Sequence, residues 1–545
     1  MDEVQKTRAL IKEVLAYINS TPWKGYYSLQ VENMLERVDQ PCELAIIGEV
    51  KAGKSSFVNA LLDSDLAMVG ETEMTATINF FKYGHPDDKN KPVRVVWEDG
   101  SEEWQTREFL NSLQGNTPEV LEKASKIDHL EYFLDNEKLR RVTLVDTPGT
   151  GSLVETHENR TNDYFEAGKQ NLRQKHNEQS MHLKNRADAV VVITGRVEHE
   201  ATNQLVVKFS QGTSAFNSLG VMTKIDLESG TSTDDWNRRC NKYHEMLRHQ
   251  LNCIVPVSAS VYSTVMKLAR EYKMEEIKDA LQYIPLDDFE EVCKYSQTFL
   301  DESLDDYFND FNLPYQTRKR ISGYVDDWMV FYTIARELRT HTVEEAIQNL
   351  LEYSGIPQVN KVLEKQFFSR SRIIRCNRIA NELHDILFNI RNRHLPDIRI
   401  DVAYKDEYLS IINDTNFSTL KDIKEALIKF VETNICTPQQ LAVYEEQLNQ
   451  LIPKVEALQL LFRKTDKKSE ALMLLEKHSK AFSEQEYDEL EKLFGVHAQS
   501  SSISDRKIIA RRQSYWRSRR NSSSNVEINK IYELAVYAYG TILTT

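Results

Sequence analysis

Cysteine, glycine, proline and long apolar runs are all scarce in this chain, and each shortage excludes something. The six cysteines (Cys42, Cys240, Cys253, Cys293, Cys376 and Cys436) are scattered, with no C-x-x-C pair. That spacing excludes a disulfide framework and zinc-ligand pairs, and predicts reduced thiols in a cytoplasmic protein. No stretch approaches the roughly 18 apolar residues needed to cross a bilayer, so any membrane contact is expected to be peripheral. The start, Met1-Asp2-Glu3-Val4-Gln5-Lys6, lacks the charged-then-apolar layout of a signal peptide. Basic charge is outweighed, with 69 Lys and Arg against 83 Asp and Glu and a net charge of −14, which argues against indiscriminate nucleic-acid binding. Only 18 glycines and 13 prolines interrupt 545 residues that are 41% hydrophobic and 28% charged. Such a composition describes a globular, helix-rich protein, and domains of about 100–200 residues predict two or three of them.

Where glycine does occur, it is placed for chemistry. Gly48-Glu49-Val50-Lys51-Ala52-Gly53-Lys54-Ser55-Ser56 follows the apolar run Leu44-Ala45-Ile46-Ile47, the order of strand, glycine-rich turn and helix. Gly48 and Gly53 let consecutive backbone N–H groups curl around phosphates, and the helix opening near Lys54 adds its positive dipole end. Lys54 is expected to reach the β- and γ-phosphates, and Ser55 to ligate Mg²⁺. A second element, Val142-Thr143-Leu144-Val145-Asp146-Thr147-Pro148-Gly149, ends a β-branched run in an acid at the carboxyl end of a strand, where α/β sheets place ligands. Asp146 would hold the Mg²⁺ hydration shell and the Gly149 N–H would sense the γ-phosphate. In a third, Thr223-Lys224-Ile225-Asp226, the carboxylate can accept both the ring N–H and the exocyclic amine of guanine, a donor pair adenine lacks. The fourth, Ile254-Val255-Pro256-Val257-Ser258-Ala259-Ser260, could present backbone N–H groups to guanine O6. Each alone reads equally well as a strand and a polar turn. Four in this order point to a GTP site.

Residues 3–19 place Val4, Leu10, Ile11, Val14, Leu15 and Ile18 on one helical face, ended by Ser20-Thr21-Pro22. Its polar face mixes acids and bases, which favours packing on protein over lying on a membrane. Strand-like and helix-like patterns then alternate to about Ser260, as a mostly parallel sheet requires. Lys54 and Asp146 stand 92 positions apart, so this domain is expected to be enlarged by extra strands, among them Val93–Trp97 closed by the Asp99-Gly100 turn. The charge-rich segment 162–185 reads as a helix. From Val261 onward the text is helical, with Ser522-Ser523-Ser524 as a loop. Thr437-Pro438-Gln439-Gln440 is a helix start, and Leu441, Tyr444, Leu448, Leu451, Val455 and Leu458 continue an apolar stripe in which Pro453 predicts a kink.

With Gly48 to Leu62, Asp146 to Ser152 and Ala187 to Ile193 as the telling stretches, the chain resembles the bacterial dynamin-like proteins of the large-GTPase family. The resemblance implies an α/β P-loop GTPase domain with an enlarged, mostly parallel sheet, and a long all-α helical bundle serving as neck and trunk. The corresponding division is 1–40 as an N-terminal helix joining the neck, 41–370 as the GTPase domain with a helical extension, and 371–545 as the bundle. It further implies GTP/GDP and Mg²⁺ as cofactors, a switch threonine over the metal, and pairing of GTPase faces or of partner dynamin-like chains that stimulates hydrolysis. Thr75 is the chosen switch residue and Thr77 the alternative. Where family members commonly place a glutamine and a serine, this chain has Val50 and Lys51. Val50 cannot hydrogen-bond an attacking water. The Lys51 ammonium would either supply the stabilising cation itself or point to solvent. The competing reading is a GTP-binding scaffold with negligible hydrolysis.

Residues 506–520 gather seven basic side chains around Tyr515 and Trp516. Arg511, Arg512, Trp516, Arg517, Arg519 and Arg520 could contact anionic lipid. Pairing with acidic bundle helices is the favoured reading over lipid contact, and RNA binding, third, has no further motif to support it. The apolar stretch 531–543 is too short to span a bilayer and is expected to pack on the N-terminal helix.

Overall fold

The computed structural model describes residues 2–48, 52–64, 77–113 without 87 and 89, 123–146 without 125, 187–195, 217–227, 232–415 without 248 and 249, 421–495, and 506–544 without 521 and 524. The chain forms two compact units, one of residues 41–371 and one joining residues 1–40 to 372–545.

The first unit is built on a nine-stranded sheet of β1 (Cys42–Gly48), β2 (Ile78–Tyr83), β3 (Val93–Trp97), β4 (Glu102–Gln105), β5 (Ile127–Leu134), β6 (Val142–Asp146), β7 (Ala189–Thr194), β8 (Ser218–Met222) and β9 (Ile254–Pro256). Their order is β4-β3-β5-β2-β6-β1-β7-β8-β9. From β6 to β9 every pairing is parallel. These strands are buried throughout, and the runs Leu44–Ile47 of β1, Leu144–Val145 of β6 and Ala189–Ile193 of β7 are apolar for that reason. The 92-residue gap holds the enlargement, because β2 to β5 all lie within it. β2 runs antiparallel to β6, and β3 and β4 form a hairpin whose turn residue Gly100 has φ of 81°. The last described strand is β9. After it, the helix Ala259–Arg270 contributes Val261, Val265 and Leu268 to a helical core with Phe331, Ile334, Leu338 and Leu350.

In the second unit, Asp2 caps the helix Glu3–Asn19 with Gln5 closing a capping box, and Leu10, Ile11, Val14 and Ile18 are buried. A further helix, Lys24–Arg37, follows; its two buried side chains, Val31 and Met34, leave little periodicity to read. Both pack in one core with Leu383, Leu387, Leu448, Leu451 and Val455. The predicted start at Thr437 is present, with Gln440 N–H donating to Thr437 Oγ1 at 3.2 Å and Thr437 N–H to Gln440 Oε1 at 2.8 Å. The helix from Pro438 to Lys477 continues through Pro453 rather than stopping there. Among the described residues, no helix is long and apolar enough to cross a membrane.

One expectation changes here and one holds. The final helix, Val526–Thr544, packs on Arg506–Arg519 and on the long helix Pro438–Lys477, not on the N-terminal helix. Its Ile531, Ala535 and Tyr539 share a core with Leu475, Leu490 and Trp516. The basic segment is largely committed to protein. Arg512 Nε donates to Glu489 at 2.8 Å, Arg519 pairs with Glu486, and Arg520 Nε donates to Glu533 at 2.9 Å. Trp516 is fully buried and donates its ring N–H to Glu489 at 2.9 Å, so it is not an interfacial aromatic in this conformation. Arg511 and Arg517 remain exposed. No disulfide forms; five of the six thiols are buried and Cys253 is half-buried.

Candidate nucleotide site

The phosphate end forms where β1 meets the helix Lys54–Leu62. Gly48 closes β1 where any side chain would collide with β7, since a Cβ there would stand 2.6 Å from the Ile193 carbonyl. Gly53 precedes the helix at φ of 90°, a left-handed conformation that glycine adopts without strain. Lys54 is buried in the first turn and its Nζ donates to the Gly48 carbonyl at 3.1 Å, folding the ammonium back over the loop. Ser56 sits half-buried in the same turn.

Across from this helix, Ser55 Oγ donates to Asp146 Oδ2 at 3.2 Å. Asp146 is completely buried at the end of β6, and burial pushes its carboxyl up to about 6, against the opposing pull of the Lys54 ammonium and the Ser55 hydroxyl. Among the described residues its Oδ1 has no hydrogen-bond partner. Asn79 pairs with Asp146 in the β2–β6 register, and its Nδ2 is also buried without a hydrogen-bond partner, while its Oδ1 accepts from Thr77 Oγ1 at 3.2 Å. An orphaned carboxylate oxygen beside a serine hydroxyl is a donor set of hard oxygens that fits Mg²⁺ and its water shell. Thr77, the alternative switch residue, directly precedes β2, whereas Asn79 was not singled out by the sequence; its only signal there is polarity among the apolar residues that open the strand.

At the other end, Thr223 ties β8 to the loop, with Oγ1 donating to the Ala52 carbonyl at 2.5 Å and 3.1 Å from the Thr194 carbonyl. Lys224 then adopts φ of 62°, unusual for a residue with a side chain, and is exposed. That turn buries Asp226 beside Ile225 while leaving the lysine stem at the surface. Ser258 corrects one expectation. Its N–H is already taken by the Ser354 carbonyl at 2.9 Å, and its hydroxyl caps the following helix by accepting from Val261 N–H at 3.1 Å. The Ala259 N–H, which opens that helix, makes no hydrogen bond to the described residues. Glu49, Val50, Lys51, Thr75 and Gly149 lie outside the described residues, as does segment 162–185.

Lys54, Ser55, Asp146, Thr223 and Asp226 thus lie beyond the carboxyl ends of the parallel strands β1, β6 and β8, and residues 44–224, which carry them up to Lys224, match the Dynamin family. The chain is 28% identical over 165 residues to the isoniazid-induced protein IniC of Mycobacterium tuberculosis, covering 28% of this chain and 31% of that protein. It is 31% identical over 141 residues to dynamin-like protein 2 of Campylobacter jejuni, covering 26% of this chain and 22% of that one. The chain therefore spans less than a third of the length of these relatives. Among solved structures, an oligomerised bacterial dynamin pair aligns over 95% of this chain and 86% of its own at 15% identity and a TM-score of 0.29. The Era protein of Aquifex aeolicus bound to GDP·AlF4⁻ aligns over 43% of this chain and 56% of its own at 15% identity and a TM-score of 0.23.

Proposed function

We propose that this chain is a Mg²⁺-dependent, dynamin-like GTPase that hydrolyses GTP to GDP and phosphate, and that nucleotide-driven self-association couples the reaction to work at a membrane. One observation carries the reading: the Ser55–Asp146 pair with its orphaned carboxylate oxygen stands directly across from the Lys54 ammonium at the mouth of the glycine loop. Lys54 and the loop N–H groups bind the β- and γ-phosphates and stabilise the charge that develops on them as water attacks in line. Ser55 and Asp146, with Thr75 expected to complete the set, would hold Mg²⁺, which supplies further neutralisation of that charge. Asp226 accepts from the guanine edge, and the exposed Lys224 stem offers an apolar cover for the base. Self-association and membrane action rest on likeness to the bacterial dynamin-like relatives.

A scaffold that binds GTP with negligible turnover has one observation in its favour, the hydrogen-bond-incapable Val50 in the loop. GTP turnover measured against protein concentration, with and without anionic liposomes and with Lys54→Ala as blank, separates the two. A rate per molecule that climbs with concentration and again with lipid supports the GTPase. A flat rate at the level of the blank, with GTP binding intact, supports the scaffold.

A further inference from the structure

The base end of the site is closed by a turn about a hundred positions downstream of β9, beyond the segment that matches the Dynamin family. The helix Val343–Tyr353 ends in Ser354 and Gly355, and this turn lies against the end of β9. Gly355 has φ of 72°, and a Cβ on it would stand 2.0 Å from the Pro256 carbonyl oxygen and 3.4 Å from Val257 Cα. No other residue can occupy that position without pushing the turn away from the strand. Ser354, completely buried, is held by its own hydroxyl, which donates to the Leu351 carbonyl at 2.5 Å and accepts from Ile356 N–H at 3.3 Å. Held in this way, its carbonyl accepts the Ser258 N–H.

We propose that Ser354 and Gly355 are positioning residues for guanine recognition: by taking the Ser258 N–H they turn the β9 loop so that the Ala259 N–H alone points at the O6 of the base. The inference rests on the guanine-site reading above and adds to it residues from the helical extension. Two further observations agree. Tyr353 packs against both the sheet-side core around Met222, Ile225 and Trp236 and the helical core around Val261 and Leu350. Burial pushes its hydroxyl up to about 12, with the Asp226 carboxylate adding to the shift, so this residue stands within electrostatic reach of the acid that reads the base. The helix Trp328–Thr340 also contacts the short turn Ile225–Leu227 that carries Asp226. The helical extension thus buttresses both base-reading elements.

Three purines separate the contributions. GTP and ITP both carry the O6 acceptor, ITP lacks the 2-amino group that Asp226 reads, and ATP presents a donor where O6 would be. In competition against labelled GDP, Gly355→Ala should weaken GTP and ITP alike by tenfold or more, leave ATP within twofold, and preserve the GTP-to-ITP preference. A general distortion would lower all three together or erase the GTP-to-ITP preference, and either result, or no change, overturns the proposal. Asp226→Asn is the companion: it should collapse the GTP-to-ITP preference, and if it does not, the guanine-site reading itself fails and takes this one with it. Hydrogen exchange resolved to single amides in the unaltered protein needs no variant. The Ser258 amide should be protected with or without nucleotide, and the Ala259 amide only with GTP or GDP. A Ser258 amide that exchanges freely in the nucleotide-free protein would refute the clamp.

Discussion

The two ends of the candidate nucleotide site are finished to different degrees. At the base end the Ser258 N–H and hydroxyl and the Thr223 hydroxyl all have protein partners, and a distant glycine turn is locked against the strand. At the phosphate end Asp146 Oδ1 and Asn79 Nδ2 are buried without a hydrogen-bond partner among the described residues. A buried polar atom without a partner costs about 1–3 kcal/mol, so the folded protein keeps that end at a standing disadvantage. On the function proposed above, the difference means that the base-side loop is held by the protein beforehand, while part of the stability at the phosphate side would arrive with the ligand.

The largest break in this contrast should come from Lys54→Ala. Removing the ammonium folded over the loop is expected to cut GTP affinity or turnover by about 10²–10³-fold, read by calorimetry and phosphate release, with little effect on thermal stability. Asp146→Asn should come next and act in two directions. A carboxyl whose folded pKa stands near 6 instead of 3.8 disfavours the folded state once it ionises. The penalty is absent below about pH 4, grows between the two values, and is complete above 6. The variant is therefore expected to be more stable than the parent at pH 7 by about 1–3 kcal/mol without ligand, and no more stable at pH 4. Its nucleotide affinity should no longer respond to Mg²⁺. Melting curves at both pH values and Mg²⁺ titrations check this. Thr223→Val removes, at nearly constant volume, the hydroxyl that donates to the Ala52 carbonyl and joins β8 to the loop. A loss of about 1–2 kcal/mol in chemical denaturation is expected, with weakened GTP binding because the Ala52 carbonyl is released. The smallest effect belongs to Arg511→Gln combined with Arg517→Gln. Stability should stay within about 0.5 kcal/mol, while sedimentation with anionic vesicles will fall if these two exposed cations are the lipid contact that the buried Trp516 is not.

What the sequence revealed follows a physical line. Features set by neighbours in the chain were legible: the glycine loop, Asp146 at a strand end, the Asp99-Gly100 hairpin turn, and the Thr437–Gln440 cap all depend on local backbone chemistry. Features set by distant partners were not. Ser354-Gly355 looks from the sequence like any helix end, and nothing local says that Pro256 will lie against it. Arg512, Arg519 and Trp516 looked like a basic-aromatic surface because Glu486 and Glu489, which take their hydrogen bonds, sit on another helix. Ser258 was assigned to the base because its motif names it, yet the base end spends that N–H on the protein. The helix Lys24–Arg37 escaped notice because it shows the core only two side chains.

The scattered thiols have a practical use. Cys376 belongs to the core that joins the N-terminal helices to the long helix, whereas Cys240 and Cys293 lie in the sheet-side and helical cores of the other unit. Burial pushes the Cys240 thiol up to about 12 and the Cys376 thiol up to about 11, which keeps both protonated and unreactive while the cores stay closed. An alkylating reagent added to the native protein would therefore mark Cys253 first and the others only as their surroundings open. The order in which mass is gained, followed by peptide mapping with and without GTP, would time the loosening of each unit separately, using reporters the chain already carries.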